Sequence, residues 1–323
     1  MIYLDNAATT KPYLEALEEF NRVNKNFFFN PSAPYSCAFD LFKQINDARK
    51  IFVDLLGGNR EQDQIVFTSG ATESNNLAIF GSATNKKKKY LFSMGEHPSV
   101  FNCANELRAK GFDVDFIPLS QNGQIDYEKF NQMCDESVGF VSIMLVSNET
   151  GSINDLARIR KILDTKCPNA ILHVDAVQGF CKIDFNVNKY KVNLVSISAH
   201  KIGGIKGIGA LYISSATKLK NINYGGGQEF TLRSGTVNAG AIFSFLKSAQ
   251  ITFANKKVNY DKMLQLKNYV VKELANVRGI KLVSDNDCSP YIISIILDGN
   301  RGETIMRKLD MVNNSYQKLT LSL

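Results

Sequence analysis

The chain has 323 residues, 44% hydrophobic and 21% charged, a balance that excludes a disordered or fibrous polypeptide and allows one large domain plus a smaller one. No run reaches the roughly 18 apolar residues of a membrane span, and the opening MIYLDNAATT lacks a secretory signal's basic start and apolar core, so a cytoplasmic protein is expected. The net charge of +7 is modest, and its densest run, Lys86 to Lys89, reads as a solvated loop feeding a strand rather than a nucleic-acid patch.

From residue 38 the pattern alternates between helix and strand. Leu41, Ile45, Ala48, Phe52 and Leu55 follow helical spacing, and Gly57-Gly58 supplies a stop. The short apolar run IVFT then turns into a helix at SGATESNNLAIF. YLFSM predicts a strand before a helix over 98–110, which ends at Gly111. DVDFIPL and FVSIMLVS predict strands around a helix over 126–135, and ILHVD, NLVSIS and GALYI complete the series. Such strands between helices imply a mostly parallel, buried sheet with helices on both faces. After residue 238 come helical sequence to about Val277, two strands at IKLVS and YIISIIL, and a short helix near 302–310. This is expected to be an α+β unit packed with the N-terminal segment: residues 13–240 as the large domain, 1–12 and 241–323 as the small one.

Six cysteines, at 37, 103, 134, 167, 181 and 288, contain no CxxC pair, so neither a metal site nor a disulfide framework is expected. They read mostly as reduced, partly buried small hydrophobes.

Three motifs fall at the ends of predicted strands, where open α/β sheets place ligands. Thr68–Ser74, TSGATES, is a strand, a glycine turn and a helix start, able to hold an anion such as a phosphate, or simply a capped helix. His173–Gln178, HVDAVQ, ends an apolar strand with Asp175, which needs a cation or several donors when buried, or caps the next helix. Ser196–Tyr212, SISAHKIGGIKGIGALY, carries Lys201 just past the next strand, 26 positions after Asp175. Lys201 is either a strand-end lysine reaching solvent or an amine made nucleophilic by its surroundings, with Ser198 and His200 beside it to meet an anion. No dinucleotide fingerprint or Walker A sequence occurs. A phosphate, a ring with a basic nitrogen and an aldehyde joined to lysine together describe pyridoxal 5'-phosphate (PLP).

On these residues the chain resembles the cysteine desulfurases of the aminotransferase class V-like PLP enzymes of fold type I. The likeness runs through YLDNAATT, NPS, TSGATESNNLAI, EHPSV, SNETGSI, HVDAVQ, SISAHKIGGIKGIGALYI and GGGQEFTLRSGTVN, then through SPYIISIIL and RGETIMRKL. It implies an α/β fold with a mostly parallel sheet of the seven-stranded type and a smaller, shortened α+β domain. It makes Lys201 the lysine that joins PLP, Asp175 the partner of the pyridinium nitrogen, Gln178 a donor to the ring hydroxyl and His97 the side chain stacked on the ring. Thr72, Ser198 and His200 would hold the phosphate, Thr236 would reach the phosphate of a second subunit, and Asn148 would lie beside ring and substrate. The implied reaction takes L-cysteine to alanine and leaves a persulfide for iron–sulfur scaffold or other acceptor proteins. A homodimer is implied, without nucleic acid or membrane.

The match departs from the family at Ile205, where proline is usual, and beyond RGETIMRKL, where a Ser/Gly-rich loop carries the catalytic cysteine. No cysteine follows Cys288 here, and QKLTLSL offers Lys318 where an arginine for the substrate carboxylate is usual. Full turnover is therefore expected to be impaired. The alternatives are a related PLP lyase or aminotransferase that needs no persulfide, or a catalytically impaired PLP-binding dimer. Cys37 is the least implausible substitute thiol, with packing its favoured role.

Overall fold

Runs of β-branched and aromatic residues form the central sheet because helices cover both of its faces. The computed structural model describes residues 2–86, 88–284, 287–299, 301–313 and 319–320. In chain order the elements are β1 (Ile2–Tyr3), α1 (Leu14–Asn26), α2 (Ser36–Leu56), β2 (Gln64–Thr68), α3 (Ala71–Ser82), β3 (Lys89–Ser93) and α4 (Pro98–Ala109). There follow β4 (Asp113–Ile117), α5 (Tyr127–Met133), β5 (Val138–Ser142), α6 (Leu156–Lys166), β6 (Ile171–Asp175), β7 (Leu194–Ser198) and β8 (Gly209–Ile213). The last are α7 (Ala239–Ala254), α8 (Lys256–Leu274), β9 (Ile280–Leu282), β10 (Ile295–Leu297), α9 (Gly302–Asn313) and β11 (Leu319–Thr320).

Seven strands make one sheet in the order β2-β8-β7-β6-β5-β3-β4, the mostly parallel α/β arrangement expected. Only β8 runs against its neighbours. The segment between β7 and β8 is too short for a parallel crossover, which takes a dozen residues or more. The consequence is local: Thr68 of β2 and Ser198 of β7 both sit opposite Gly209 of β8, at the edge where β6 ends in Asp175. One core, containing Phe52, Phe180 and Phe245, lies on one side of the sheet; Leu77, Tyr90, Phe92 and Leu107 belong to a second cluster.

Three elements differ from expectation. Helix α1 went unpredicted because its apolar stripe is thin; it buries only Ala16 and Val23 and packs against α7. Strand β5 stops at Ser142, not Ser147, because side chains take over Met144: Glu96 accepts from its N–H at 2.5 Å and Asn154 donates to its carbonyl at 2.7 Å. YIISIIL pairs only over 295–297, since the preceding residues fold onto the turn at Gly151, whose carbonyl accepts from Ser289 N–H at 2.7 Å. Helix α7 places Ile242, Phe245 and Ala249 in the same core as Phe52. Leu319 and Thr320 pair in parallel with β1, while Lys318 lies outside the described residues. Among the described residues, no helix is long and apolar enough to cross a membrane.

Candidate active site

Lys201 ends a single 3-10 turn, Ala199–Lys201, that leaves β7. The turn is laced to the N-terminal segment. Thr10 donates to the His200 carbonyl through both N–H and Oγ1, each at 2.8 Å, and Thr9 Oγ1 lies 3.1 Å from His200 Nδ1. Gly203 then takes a left-handed φ of 74° with the Tyr13 ring against it; a Cβ there would stand 2.2 Å from the ring, so glycine is required. The half-buried Lys201 Nζ donates to the carbonyls of Ala7 and Ala8, the second at 2.7 Å. Burial pushes its proton affinity down, while Asp175 and Asp5 pull the other way. The lysine is thus held beside carboxylates by main-chain acceptors.

Asp175 is buried at the end of β6. Its Oδ2 accepts from Asn75 Nδ2 at 2.9 Å and its Oδ1 from Val177 N–H at 3.0 Å. Burial raises its proton affinity above the usual carboxylate range, and His97 and Lys201 partly offset this. A buried carboxylate with two neutral donors still favours a cation, and a protonated ring nitrogen fits that need. Asn75 also donates to Ser99 Oγ at 2.9 Å, and Ser99 Oγ lies 2.8 Å from His97 Nδ1, which accepts from Ser99 N–H as well. Asp175, Asn75, Ser99 and the exposed His97 therefore form one chain, which ends on Nδ1 of the imidazole. Glu96 lies buried beneath it, its proton affinity pushed up to about 8 by burial and then by Asp175. Burial and the neighbouring Asp175 thus favour its uncharged form, which spares Asp175 a second negative charge.

The other end of the site suits an anion. Gly70 caps α3 without a side-chain hydrogen bond, so first-turn N–H groups lack the usual side-chain acceptor, and Thr72 is exposed on that turn. Ser198 is buried across from Gly209, and His200 is half-buried, with burial and three lysines pushing it down to about 4. A Cβ on Gly209 would stand 2.7 Å from the Gly70 carbonyl carbon and the Ile197 oxygen. Gly209→Ala is therefore expected to cost about 1–3 kcal/mol, visible as a lower urea midpoint together with weaker PLP retention; a wild-type midpoint would contradict the close approach.

Gln178 is buried and donates through Nε2 to the Ala7 carbonyl at 2.8 Å, next to the Lys201 amine. Lys201, Asp175, Gln178, Ser198, His200 and Thr72 thus gather around the ends of β6, β7 and α3, and His97 joins them through Ser99. Asn148 is half-buried in the turn after β5, and Thr236 is exposed on the loop before α7. That loop is tied to α3 by Arg233, whose Nε donates to Glu73 at 2.9 Å. Ile205 is partly buried against the core. Sequence reasoning missed Asn75, Ser99, Glu96 and Lys182; the one signal was a polar residue at an apolar position. Cys37 corrects another expectation: it is exposed rather than packed, while the other five cysteines are buried. A groove of about 1000 Å³ along α2 and residues 227–230 contains none of the expected site residues.

A family model described as aminotransferase class-V matches residues 2–314. A NifS/IcsS protein homolog of Lactobacillus delbrueckii subsp. bulgaricus is 39% identical over 316 residues, covering 96% of this chain and 81% of the relative. A protein named cysteine desulfurase IscS, from Clostridium botulinum, is 34% identical over 318 residues, covering 96% of this chain and 79% of its own length. The solved structure of a NifS-like protein from Rickettsia africae has a TM-score of 0.90 at 30% identity, covering 97% of this chain and 86% of that one. Matched along nearly its whole length in sequence and backbone, and carrying at its sheet edge a donor set that fits PLP, the chain belongs to the cysteine desulfurases of the PLP-dependent aminotransferase class-V family.

Proposed function

We propose that this chain removes sulfur from L-cysteine, leaving alanine, with PLP joined to Lys201. The observation that carries the reading is the meeting of the Lys201 amine, the Gln178 carboxamide and the buried Asp175 carboxylate at one sheet edge. When bound, PLP supplies an electron sink that allows a bond at the substrate's Cα to break. Asp175 balances the ring nitrogen's positive charge, and Gln178 donates to the ring hydroxyl. Thr72, Ser198 and His200 take the phosphate, joined by Thr236 of a second copy in a homodimer. Asn148 orients substrate beside the ring. Lys201, once its amine is free and neutral, moves the Cα proton. His97, its Nδ1 held by Ser99, exchanges a proton with the substrate through Nε2. The cysteine Cβ–S bond breaks, an S–S bond forms on an acceptor thiolate, and Cβ gains a proton.

Cysteines outside any disulfide among the described residues suit a reducing cytoplasm, and the acceptor is a thiol-bearing sulfur-transfer or iron–sulfur scaffold protein. The two-unit organisation, 13–240 against 1–12 with 241–323, belongs to the same proposal, with α7 packed on the larger unit. Five buried cysteines favour one competing reading, a PLP lyase or aminotransferase that needs no persulfide on the protein. The test is to supply PLP and L-cysteine with dithiothreitol to the full chain, and to quantify alanine and sulfide. Equal amounts of both are expected. Pyruvate and ammonia in place of alanine would favour the lyase, and no turnover at all would sink the desulfurase reading.

A further inference from the structure

Lys182 is 7% exposed, in the turns that follow Gln178. Among the described residues it has no carboxylate partner: its Nζ donates to Gln178 Oε1 at 3.2 Å and lies 5.8 Å from the Tyr291 ring centroid. A buried ammonium without an acid is costly, so an ordinary packing role explains it poorly. Its one hydrogen bond leads to the site. Gln178 donates from its other amide atom to the Ala7 carbonyl, the same oxygen that accepts from Lys201. Two lysine amines thus stand at the ends of one chain, Lys182–Gln178–Ala7–Lys201, with no acid within it.

We infer that Lys182 is a positioning residue for the reaction: by donating to Oε1 it fixes the orientation of the Gln178 carboxamide beside the Lys201 amine. With Oε1 turned to Lys182, Gln178 must present Nε2 to the Ala7 side, where a donor is needed. The electrostatics agree. Burial first, and Lys201 second, push Lys182 down to about 7. Lys201 gives up its proton less readily because Asp175 and Asp5 support its charge. The other titratable groups nearby add no acid to Lys182: burial raises both Cys181 and Tyr291, Lys256 acts on Cys181, Tyr13 and Tyr260 act on Tyr291, and His200 is itself depressed by Lys182. Lys182 therefore loses its proton first, and its neutral amine still donates to Gln178 Oε1.

The inference rests on Lys201 as the cofactor amine, but its test needs no turnover. In the full chain, Lys182→Met is expected to raise the PLP concentration that half-saturates the protein by about threefold or more, read from the visible cofactor band, and to add no further loss to a Gln178→Ala variant. The thermal midpoint should stay level or rise, because a buried amine without an acid has gone. Unchanged PLP affinity in a folded Lys182→Met protein, or additive losses in the double variant, would overturn the inference. Should Lys182→Met not fold, hydrogen exchange at the Gln178 side-chain amide of the wild type decides: a protected amide is expected, and exchange as fast as at an exposed glutamine overturns the inference equally. Neither readout depends on alanine release, so loss of the desulfurase reading would leave this one standing or falling by itself.

Discussion

Replacing Lys201 with alanine is expected to abolish covalent retention of PLP and to lower any turnover of L-cysteine by about 10²–10⁴-fold or more, the range lost with a general base alone. Under the proposed function the residue has two tasks that no neighbour is placed to perform. Among the described residues its amine is the one placed between the Asp175 end of the sheet and the Ala7–Ala8 carbonyls, partly dehydrated and held by main-chain acceptors. Lys182 cannot replace it, because it is more deeply buried, behind Gln178. Borohydride reduction of the PLP-loaded wild type followed by peptide mapping should put the cofactor mass on Lys201, and the alanine variant should lose that mass. A reduced adduct on any other lysine in wild type would contradict the assignment.

Arg49→Met is expected to destabilise the protein by about 3–5 kcal/mol, because it leaves a buried carboxylate without its cation. Arg49 donates to both oxygens of Glu229 at 2.6 Å and to the Ile65 carbonyl at 2.6 Å, while Glu229 also accepts from Phe67 N–H at 2.7 Å. The guanidinium lies over the rings of Phe67 and Phe230, 4.8 and 5.1 Å from their centroids. This group joins α2, strand β2 and the loop that carries Arg233 and Thr236. The loop holds Glu229, Phe230 and Thr231 at φ of 48°, 58° and 68°, a strained run that persists only under such restraint. The urea midpoint should therefore fall, and PLP should wash out more readily as the loop loosens. Replacing Arg49 and Glu229 together with methionine should restore much of the loss, since no charge is then stranded. By contrast the exposed Arg307–Glu303 pair, with side chains 73% and 61% accessible, should be worth ~0–1 kcal/mol. Equal effects at the two pairs would mean that burial is not what makes the first one matter.

The readable parts of the site share one property: each is a polar side chain where a strand ends. Asp175 and Lys201 follow short strand patterns, broken only by His173 in one and by Ser196, Ser198 and His200 in the other, so their places were legible although 26 residues separate them. The helix start at Gly70 was legible for the same reason, since the glycine breaks a strand pattern before a helical one begins. Asn75 and Glu96 were not. Each sits among residues that read as ordinary helix or turn: the packing of α3 against β6 and β7 turns Asn75 toward Asp175, and contacts from Ser93 and the Met144 N–H hold Glu96 in the turn after β3. Strand lengths failed where side chains replaced the ladder, as at Met144. Helix α1 failed because its exposed faces outweigh two buried residues.

By itself, then, the order of apolar runs and glycine breaks determined a mostly parallel sheet and placed a lysine and an aspartate at one of its edges, because strand periodicity and strand ends are properties of neighbouring residues. The tertiary structure decided how those groups are held. The carbonyls of Ala7 and Ala8 reach Lys201 across more than 190 positions and have no side-chain signature, and the Lys182–Gln178 contact depends on a turn whose burial comes from the whole core. Proton affinity follows burial and distance, and neither is written in any local stretch of chain.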